Sequence, residues 1–255
     1  MELEQIEEIV RKAGGLLKNR EAAAHITVKG AADYVTEADR DVQDFIQKAL
    51  GGKYPDIQFL GEEKNNDDID LKGRTWVLDP VDGTTNLIHD YKRSSISLAL
   101  MENGQTVMGI VYQPYTEELF CAKKGGGAFL NGRQIHVSRA KTMEEALVAV
   151  GTSPYDKEKL AEENFRRIYR IFMDSQDIRR SGSAAIDFAD TAAGRIDGFF
   201  EPQLSIWDYA AGRLLVAEAG GRATDFAGEE LTCAMKSSAV CGNPDIHRLL
   251  LDKYI

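Results

Sequence analysis

A chain of 255 residues with 43% hydrophobic content can bury a sizeable core, and its length lies between the expectations for one domain and two. Its formal net charge of −10 argues against non-specific binding to nucleic acid or to an anionic membrane, because both need a basic surface. The N-terminus MELEQIEEIVRKAGGLLKNR is charged from the start, and no apolar run reaches signal or membrane-spanning length.

Residues 3 to 17 carry Leu3, Ile6, Ile9, Val10, Ala13, Leu16 and Leu17 at helical spacing, which predicts a first amphipathic helix. Thr36 opens a second, with Val42, Phe45, Ile46, Ala49 and Leu50 on one face and Gly51 and Gly52 as its stop. TWVL reads as a buried strand that ends at Asp79. Pro80 then fixes φ and Gly83 permits a left-handed backbone, so Asp79 and Asp82 are expected to share one turn. From 94 to 138 short strands follow one another: SISLALM, a turn at Asn103 and Gly104, VMGIVYQ, ELFCAKK, a glycine turn at 125 to 127, and AFLNGRQIHV around Asn131 and Gly132. This predicts an antiparallel sheet. After residue 140 strands and helices alternate: ALVAV, a helix near 157 to 173, IRR, a helix from about 183 to 194, DGFFE, a helix from about 207 to 218, RATDF, SAVCG and a terminal helix. Helix layers against sheet are expected, in two subdomains, 1–140 and 141–255, meeting across a rigid seam of the kind that ligands favour. Three cysteines, Cys121, Cys233 and Cys241, lack metal spacing and cannot all pair within the chain. A soluble protein of the reducing cytoplasm fits them.

Four places set acids beside backbone-bending residues or at segment ends: Asp39 in VTEAD, Glu62 and Glu63 in FLGEE, Asp79 and Asp82 in LDPVDG, and Asp208 in IWDYAAG. Singly, each has a plain job. Asp39 stands three residues after Thr36, as in a capping box. Asp208 suits a helix N-terminus by its charge, and Glu62 and Glu63 suit a solvated loop. Together they fall where strands end or helices begin, which is where α/β proteins build sites. Two carboxylates ~4 Å apart repel by about 4 kcal/mol at an effective dielectric near 20. Several such pairs would exceed the roughly 5–15 kcal/mol net stability of a domain. A converged cluster therefore binds cations or takes up protons. Its donors are all oxygen, with no cysteine or histidine at matching positions, which favours Mg²⁺ or another hard divalent ion over Zn²⁺. Calcium storage is the weaker reading, since the spacing in DPVD departs from the alternate acids of an EF-hand.

Two or three Mg²⁺ ions held this way would stabilise the attacking and leaving oxygens of a phosphoryl displacement. Phosphate also needs donors. The amides of Gly83, Thr84 and Thr85 precede a short helical turn and can face an anion. GSAA at 182 to 185 offers a second set, whose plain alternative is a cap followed by a small-residue packing face.

These residues carry a family likeness. GEE followed by WVLDPVDGTTN, then RRSGSAAIDFADTAAGRIDGFFE, then IWDYAAGRLLVAEAGG resemble the inositol monophosphatase family over nearly the whole chain. That family belongs to the lithium-sensitive, Mg²⁺-dependent phosphatase superfamily that includes fructose-1,6-bisphosphatases. The resemblance implies an α+β fold of alternating layers, an αβαβα sandwich, usually paired as a homodimer. It implies that Glu62, Asp79, the carbonyl of Val81, Asp82 and Asp208 are metal ligands, with Glu62 also serving catalysis and Asp82 and Asp208 also near substrate. Thr84 and Asp39 match the pair that orients and deprotonates the attacking water. Lys29 matches the lysine of a mobile loop that helps close the site. Gly83, Thr84, Thr85, Gly182, Ser183 and Ala184 match phosphate and substrate contacts, and Glu201 the acid that binds sugar hydroxyls. The segment DYKRSS departs from the aromatic and proline stretch common in the family after its histidine, here His89, which suits the rim better than an all-oxygen metal site.

The implied reaction is hydrolysis of inositol monophosphate to inositol and phosphate without a covalent intermediate. An aspartyl-phosphate route would begin DxD, whereas the acids of DPVD stand three apart. Fructose-1,6-bisphosphate and 3′-phosphoadenosine phosphate are alternative substrates on the same fold, and Glu201 tilts the choice toward a polyol. A non-catalytic regulator that keeps the fold would have no reason to tolerate clustered like charges.

Overall fold

The computed structural model describes residues 3–30, 32–232 and 234–255, so Cys233 lies outside the described residues. Helix α1 (Leu3–Leu17) forms where its apolar spacing predicts, with Ile6, Ile9, Val10, Ala13 and Leu17 buried on one face. A five-residue helix α2 (Arg20–Ala24) and an antiparallel hairpin, β1 (Ile26–Gly30) with β2 (Asp33–Thr36), follow it and were not expected. Every residue of β1 is exposed. That strand is held by its ladder to β2, whose Val35 and Thr36 are buried. Helix α3 (Glu37–Lys53) starts after Thr36 as expected but runs through Gly51 and Gly52, whose Cα hydrogens face open space. Buried Leu50 and the Tyr54 N–H on the Leu50 carbonyl at 2.7 Å carry the helix past them.

Strands β3 (Gln58–Gly61) and β4 (Thr75–Asp82) precede the short helix α4 (Thr84–Ile88). Then come β5 (Ser95–Glu102), β6 (Gln105–Gln113), β7 (Glu118–Lys123), β8 (Gly127–Leu130) and β9 (Arg133–Ile135). β3 to β9 form one seven-stranded sheet in chain order, antiparallel except for the β3–β4 pair. The alternation after residue 140 is present as predicted: β10 (Leu147–Val150), α5 (Lys157–Asp174), β11 (Asp177–Arg179), α6 (Ala184–Ala192), β12 (Gly198–Ser205), α7 (Ile206–Glu218), β13 (Arg222–Thr224), β14 (Lys236–Gly242) and α8 (Pro244–Lys253). Its strands form a second sheet, ordered β11-β10-β12-β14-β13.

The layering follows from side-chain alternation along each strand. Trp76 and Leu78 of β4 share a core with Ile6 of α1 and Val42 and Ile46 of α3. Val77, between them, joins a different core with Phe188 of α6 and Tyr209 and Leu215 of α7. That second core continues into Ala149, Phe199 and Cys241, so α6 and α7 lie between the two sheets. Val148, Phe200 and Val240 face a third core with Ile168 and Ile171 of α5 and Ile246 and Leu250 of α8. Three cores between five layers make the αβαβα sandwich. Gly109 lets α7 settle on the first sheet: a Cβ there would stand 2.7 Å from the Ala211 carbonyl oxygen, and a side chain would push α7 outward. No helix among the described residues is long and apolar enough to cross a membrane.

Candidate active site

The expected turn between the paired aspartates is an irregularity within β4. The strand pairs with β5 through Asp79 and again at Asp82, with its register shifted between them. Pro80, which has no N–H to give the ladder, occupies that break. Asp208 arrives from the start of α7, where its Oδ2 accepts the Ser205 N–H at 2.7 Å in a capping box. One carboxylate oxygen from each of Asp79, Asp82 and Asp208 lies within 4.8 Å of the others. Glu62 follows β3, the parallel neighbour of β4, and its N–H donates to the Leu78 carbonyl at 3.2 Å, which sets it beside Asp79. Four acids from three distant segments thus meet.

Their environment is hostile to charge. Burial raises Glu62 to about 8, with Glu63 and Asp39 adding to the rise and Lys29 opposing it. Burial raises Asp82 to about 6, against the Ser183 hydroxyl and the Ala185 amide. Asp79 is pushed well up by burial and then by the charges of Glu62, Asp82 and Asp208. Asp208 is raised in the same way, by burial and then by Asp82 and Glu62. At 4.8 Å each ionised pair repels by about 3 kcal/mol at an effective dielectric near 20. Three such pairs rival the roughly 5–15 kcal/mol stability of a whole domain. Lys29 stands 3.8 Å from Glu62 but is hydrogen-bonded to Glu63. An oxygen-only, negative and underneutralised donor set fits a hard divalent cation.

Asp39 is fully buried at the start of α3, where its Oδ2 accepts the Thr36 N–H at 2.8 Å and its Oδ1 accepts the Thr84 hydroxyl at 3.0 Å. Burial raises its carboxyl above the usual range, against those bonds. The Thr84 oxygen also stands 3.0 Å from the Val81 carbonyl, so its single proton chooses between the two. Gly83 adopts a left-handed backbone, φ 91°, and a Cβ on it would meet the Gly182 carbonyl oxygen at 3.1 Å, so the two glycine turns abut. The divergent segment DYKRSS packs onto them. Asn86 donates to the Arg93 and Ser181 carbonyls at 2.6 and 2.9 Å, and the Ser94 hydroxyl to the Gly83 carbonyl at 2.9 Å.

At the start of α6 the expected amide nest is partly engaged, because the Ser183 hydroxyl and the Ala185 N–H both donate to Asp82 Oδ2 at 2.6 Å. Thr85, Gly182, Ser183, Ala184 and Glu201 line one cavity of about 730 Å³ together with the acid cluster. Glu201 is raised by burial to about 7, against the Ser153 N–H that it accepts at 2.8 Å. Lys29, expected on a loop, stands on β1 of the exposed hairpin. His89 lines the cavity and joins no metal-holding group among the described residues.

The cavity also includes Asp187, Arg180, Tyr155 and Lys236, which sequence reasoning did not mark as site residues. Asp187 had a signal: a lone acid amid the apolar AAIDFA run of α6, buried and raised well above its ordinary range by that burial. Arg180 had none, because only the approach of the β10 end shows that it faces the cavity.

A family model, that of the inositol monophosphatase family, matches residues 2–254. An inositol monophosphatase of Dictyostelium discoideum is 39% identical over 264 aligned positions, covering 98% of this chain and 95% of that relative. The Nus factor SuhB of Escherichia coli K12 is 38% identical, covering 94% of this chain and 91% of that one. Among solved structures, the extragenic suppressor protein suhB of Bartonella henselae superposes with a TM-score of 0.90 at 34% identity, over 99% of both chains. Inositol monophosphate-bound SaIMPase-II superposes with a TM-score of 0.83 at 28% identity, over 100% of this chain and 93% of that one.

Proposed function

The chain belongs to the inositol monophosphatase family, a family of phosphatases, and from that premise we propose that it is a Mg²⁺-dependent phosphomonoesterase acting on a polyol phosphate such as inositol monophosphate. The observation that carries this reading is the meeting of Asp79, Asp82 and Asp208 in the same cavity as Glu201. A related structure described with inositol monophosphate bound supports the substrate class.

Glu62, Asp79, Asp82, Asp208 and the Val81 carbonyl would hold the metal, as two or three Mg²⁺ ions. When bound, Mg²⁺ supplies Lewis acidity that lowers the pKa of water and offsets charge on phosphoryl oxygens. Thr84 donates its hydrogen bond to Asp39 and keeps lone pairs to accept one from a water, which it thereby aims at phosphorus. As the water's proton passes to the Thr84 oxygen, the Thr84 proton passes to Asp39, whose proton affinity is raised by burial. The backbone around Gly83, Thr84 and Thr85 meets the phosphoryl oxygens, with Gly182, Ser183 and Ala184 across from it. Glu201 accepts hydroxyl groups of the polyol. Lys29, paired with Glu63, closes the hairpin side of the cavity.

Phosphate release tests this reading. With Mg²⁺, inositol 1-phosphate should show the highest kcat/KM among itself, fructose-1,6-bisphosphate and 3′-phosphoadenosine phosphate; EDTA should abolish turnover and Li⁺ should inhibit it. A preference for the nucleotide would overturn the substrate assignment. Failure to hydrolyse all three would return the regulatory reading that a name such as Nus factor suggests for some relatives.

The proposal includes a cytoplasmic homodimer. Unpaired Cys121 and Cys241 suit a reducing compartment. On α5, Phe165, Tyr169, Phe172 and Met173 recur at i, i+4, i+7 and i+8, and each is more than half exposed. An apolar stripe of this kind marks an interface. Sedimentation should give twice the chain mass for the wild type and the single-chain mass for Phe172→Glu, with unchanged circular dichroism. A monomeric wild type would reject the pairing.

A further inference from the structure

Of the cavity's cations Arg180 and Lys236, neither has a task in the proposed reaction, and among the described residues Arg180 is the one anchored by side-chain hydrogen bonds. Arg180 follows β11 on the cavity wall, and its charge acts on both Asp82 and Glu201. Its Nε and Nη2 both donate to Thr152 Oγ1, at 3.2 and 3.1 Å. Thr152 precedes Ser153, whose N–H holds Glu201, so the guanidinium is anchored beside the wall assigned to the polyol. Nη1 lies beside Gly182, where a Cβ would stand 2.6 Å from it. Among the described residues no carboxylate pairs with Arg180, whereas Lys29 is paired with Glu63 and Arg93 with Asp190.

A guanidinium held along its Nε–Nη2 edge, on the wall of a cavity, is preorganised for an oxyanion. The acid cluster and the Gly83 turn account for the reacting phosphoryl group, and Arg180 spans from Gly182, beside that turn, to Thr152, beside the wall that holds Glu201. Space is available too. A cavity of about 730 Å³ sits in the upper half of the range of roughly 300–1,000 Å³ that accommodates drug-sized ligands, and one phosphorylated six-membered ring is smaller than most of those.

We propose that Arg180 is a specificity residue that binds a second phosphate group on the polyol ring, so that a bisphosphate gains affinity over the monophosphate with the same reacting ester. This rests on reading the cavity as a phosphate-ester site. The test compares inositol 1-phosphate with inositol 1,4-bisphosphate on wild type, Arg180→Gln and Arg180→Lys. Binding is measured by calorimetry with Ca²⁺, a hard dication, and hydrolysis by phosphate release with Mg²⁺. One charged hydrogen-bonded contact is worth about a tenfold to a hundredfold in binding. Arg180→Gln should therefore lose about that factor for the bisphosphate beyond any loss for the monophosphate, in Kd and KM more than in kcat, and Arg180→Lys should restore part of it. Equal losses for both ligands, or no preference in the wild type, would overturn the proposal. Absence of hydrolysis in the wild type would instead defeat the phosphatase reading, and the binding comparison would still decide the role of Arg180.

Discussion

Asp79→Asn is expected to lower Mg²⁺-dependent kcat/KM by about a thousandfold or more, while the metal-free protein loses no stability. The two effects have opposite signs because one residue sits in two balances. In the working site its charge helps hold ions worth several kcal/mol of transition-state stabilisation, and each factor of ten in rate is about 1.4 kcal/mol. In the metal-free protein the same carboxylate is buried and faces Glu62, Asp82 and Asp208. Asparagine keeps the volume and an oxygen to accept the Val81 N–H, which Asp79 Oδ1 now takes at 2.9 Å. Its substitution removes repulsion without leaving a cavity. Phosphate release and thermal unfolding in EDTA check the pair of outcomes. Full turnover, or a marked drop in metal-free stability, would show that Asp79 is structural.

The second large effect is a fall in stability with rising pH that emerges when metal is removed. Glu62 at about 8, Glu201 at about 7 and Asp82 at about 6 all hold protons more tightly folded than unfolded. Where the folded state binds more protons, stability falls as pH rises. Their contribution is fully present below the ordinary carboxylate pKa and is lost as pH rises through about 6 to 8. In EDTA the protein should therefore be more stable near about pH 5 than near about pH 8.5. At about 1.4 kcal/mol for each tenfold change in proton affinity, the loss amounts to several kcal/mol. A difference of that size corresponds to a fall in Tm of about 10 °C for a chain of this length. Millimolar Mg²⁺ binds the ionised acids of the folded state and should remove most of the fall. Unfolding scans across pH with EDTA and with Mg²⁺ read this directly. Parallel curves would mean that the acids bind no divalent ion.

The identity of the site was more legible than its scaffold. Asp79, Asp82, Glu62 and Asp208 are each ordinary at a strand end or helix start, and only repulsion makes their joint placement informative; the fold brings Asp79, Asp82 and Asp208 together. Asp39 stands where the capping-box spacing placed it, and Asp208 stands at the helix start that its charge suits, there too in a capping box. The two layers of sheet were readable as strand runs, but the order β11-β10-β12-β14-β13 was not, because pairing between distant segments leaves no local pattern. The β1–β2 hairpin escaped because β1 is exposed throughout and only Val35 and Thr36, at the end of β2, are buried, too few to show a period. Gly51 and Gly52 misled because a glycine on an open helix surface costs only about 1 kcal/mol, less than burial of Leu50 returns. Arg180 and Tyr155 belong to the cavity by tertiary approach alone.

Diffraction from crystals soaked in Mn²⁺, recorded at the manganese edge, would locate the ions without reference to activity. Peaks bounded by Asp79, Asp82, Asp208 and Glu62, and absent in Asp79→Asn, are the predicted result. An empty cluster beside Mn²⁺ bound elsewhere, or none bound at all, would contradict the account.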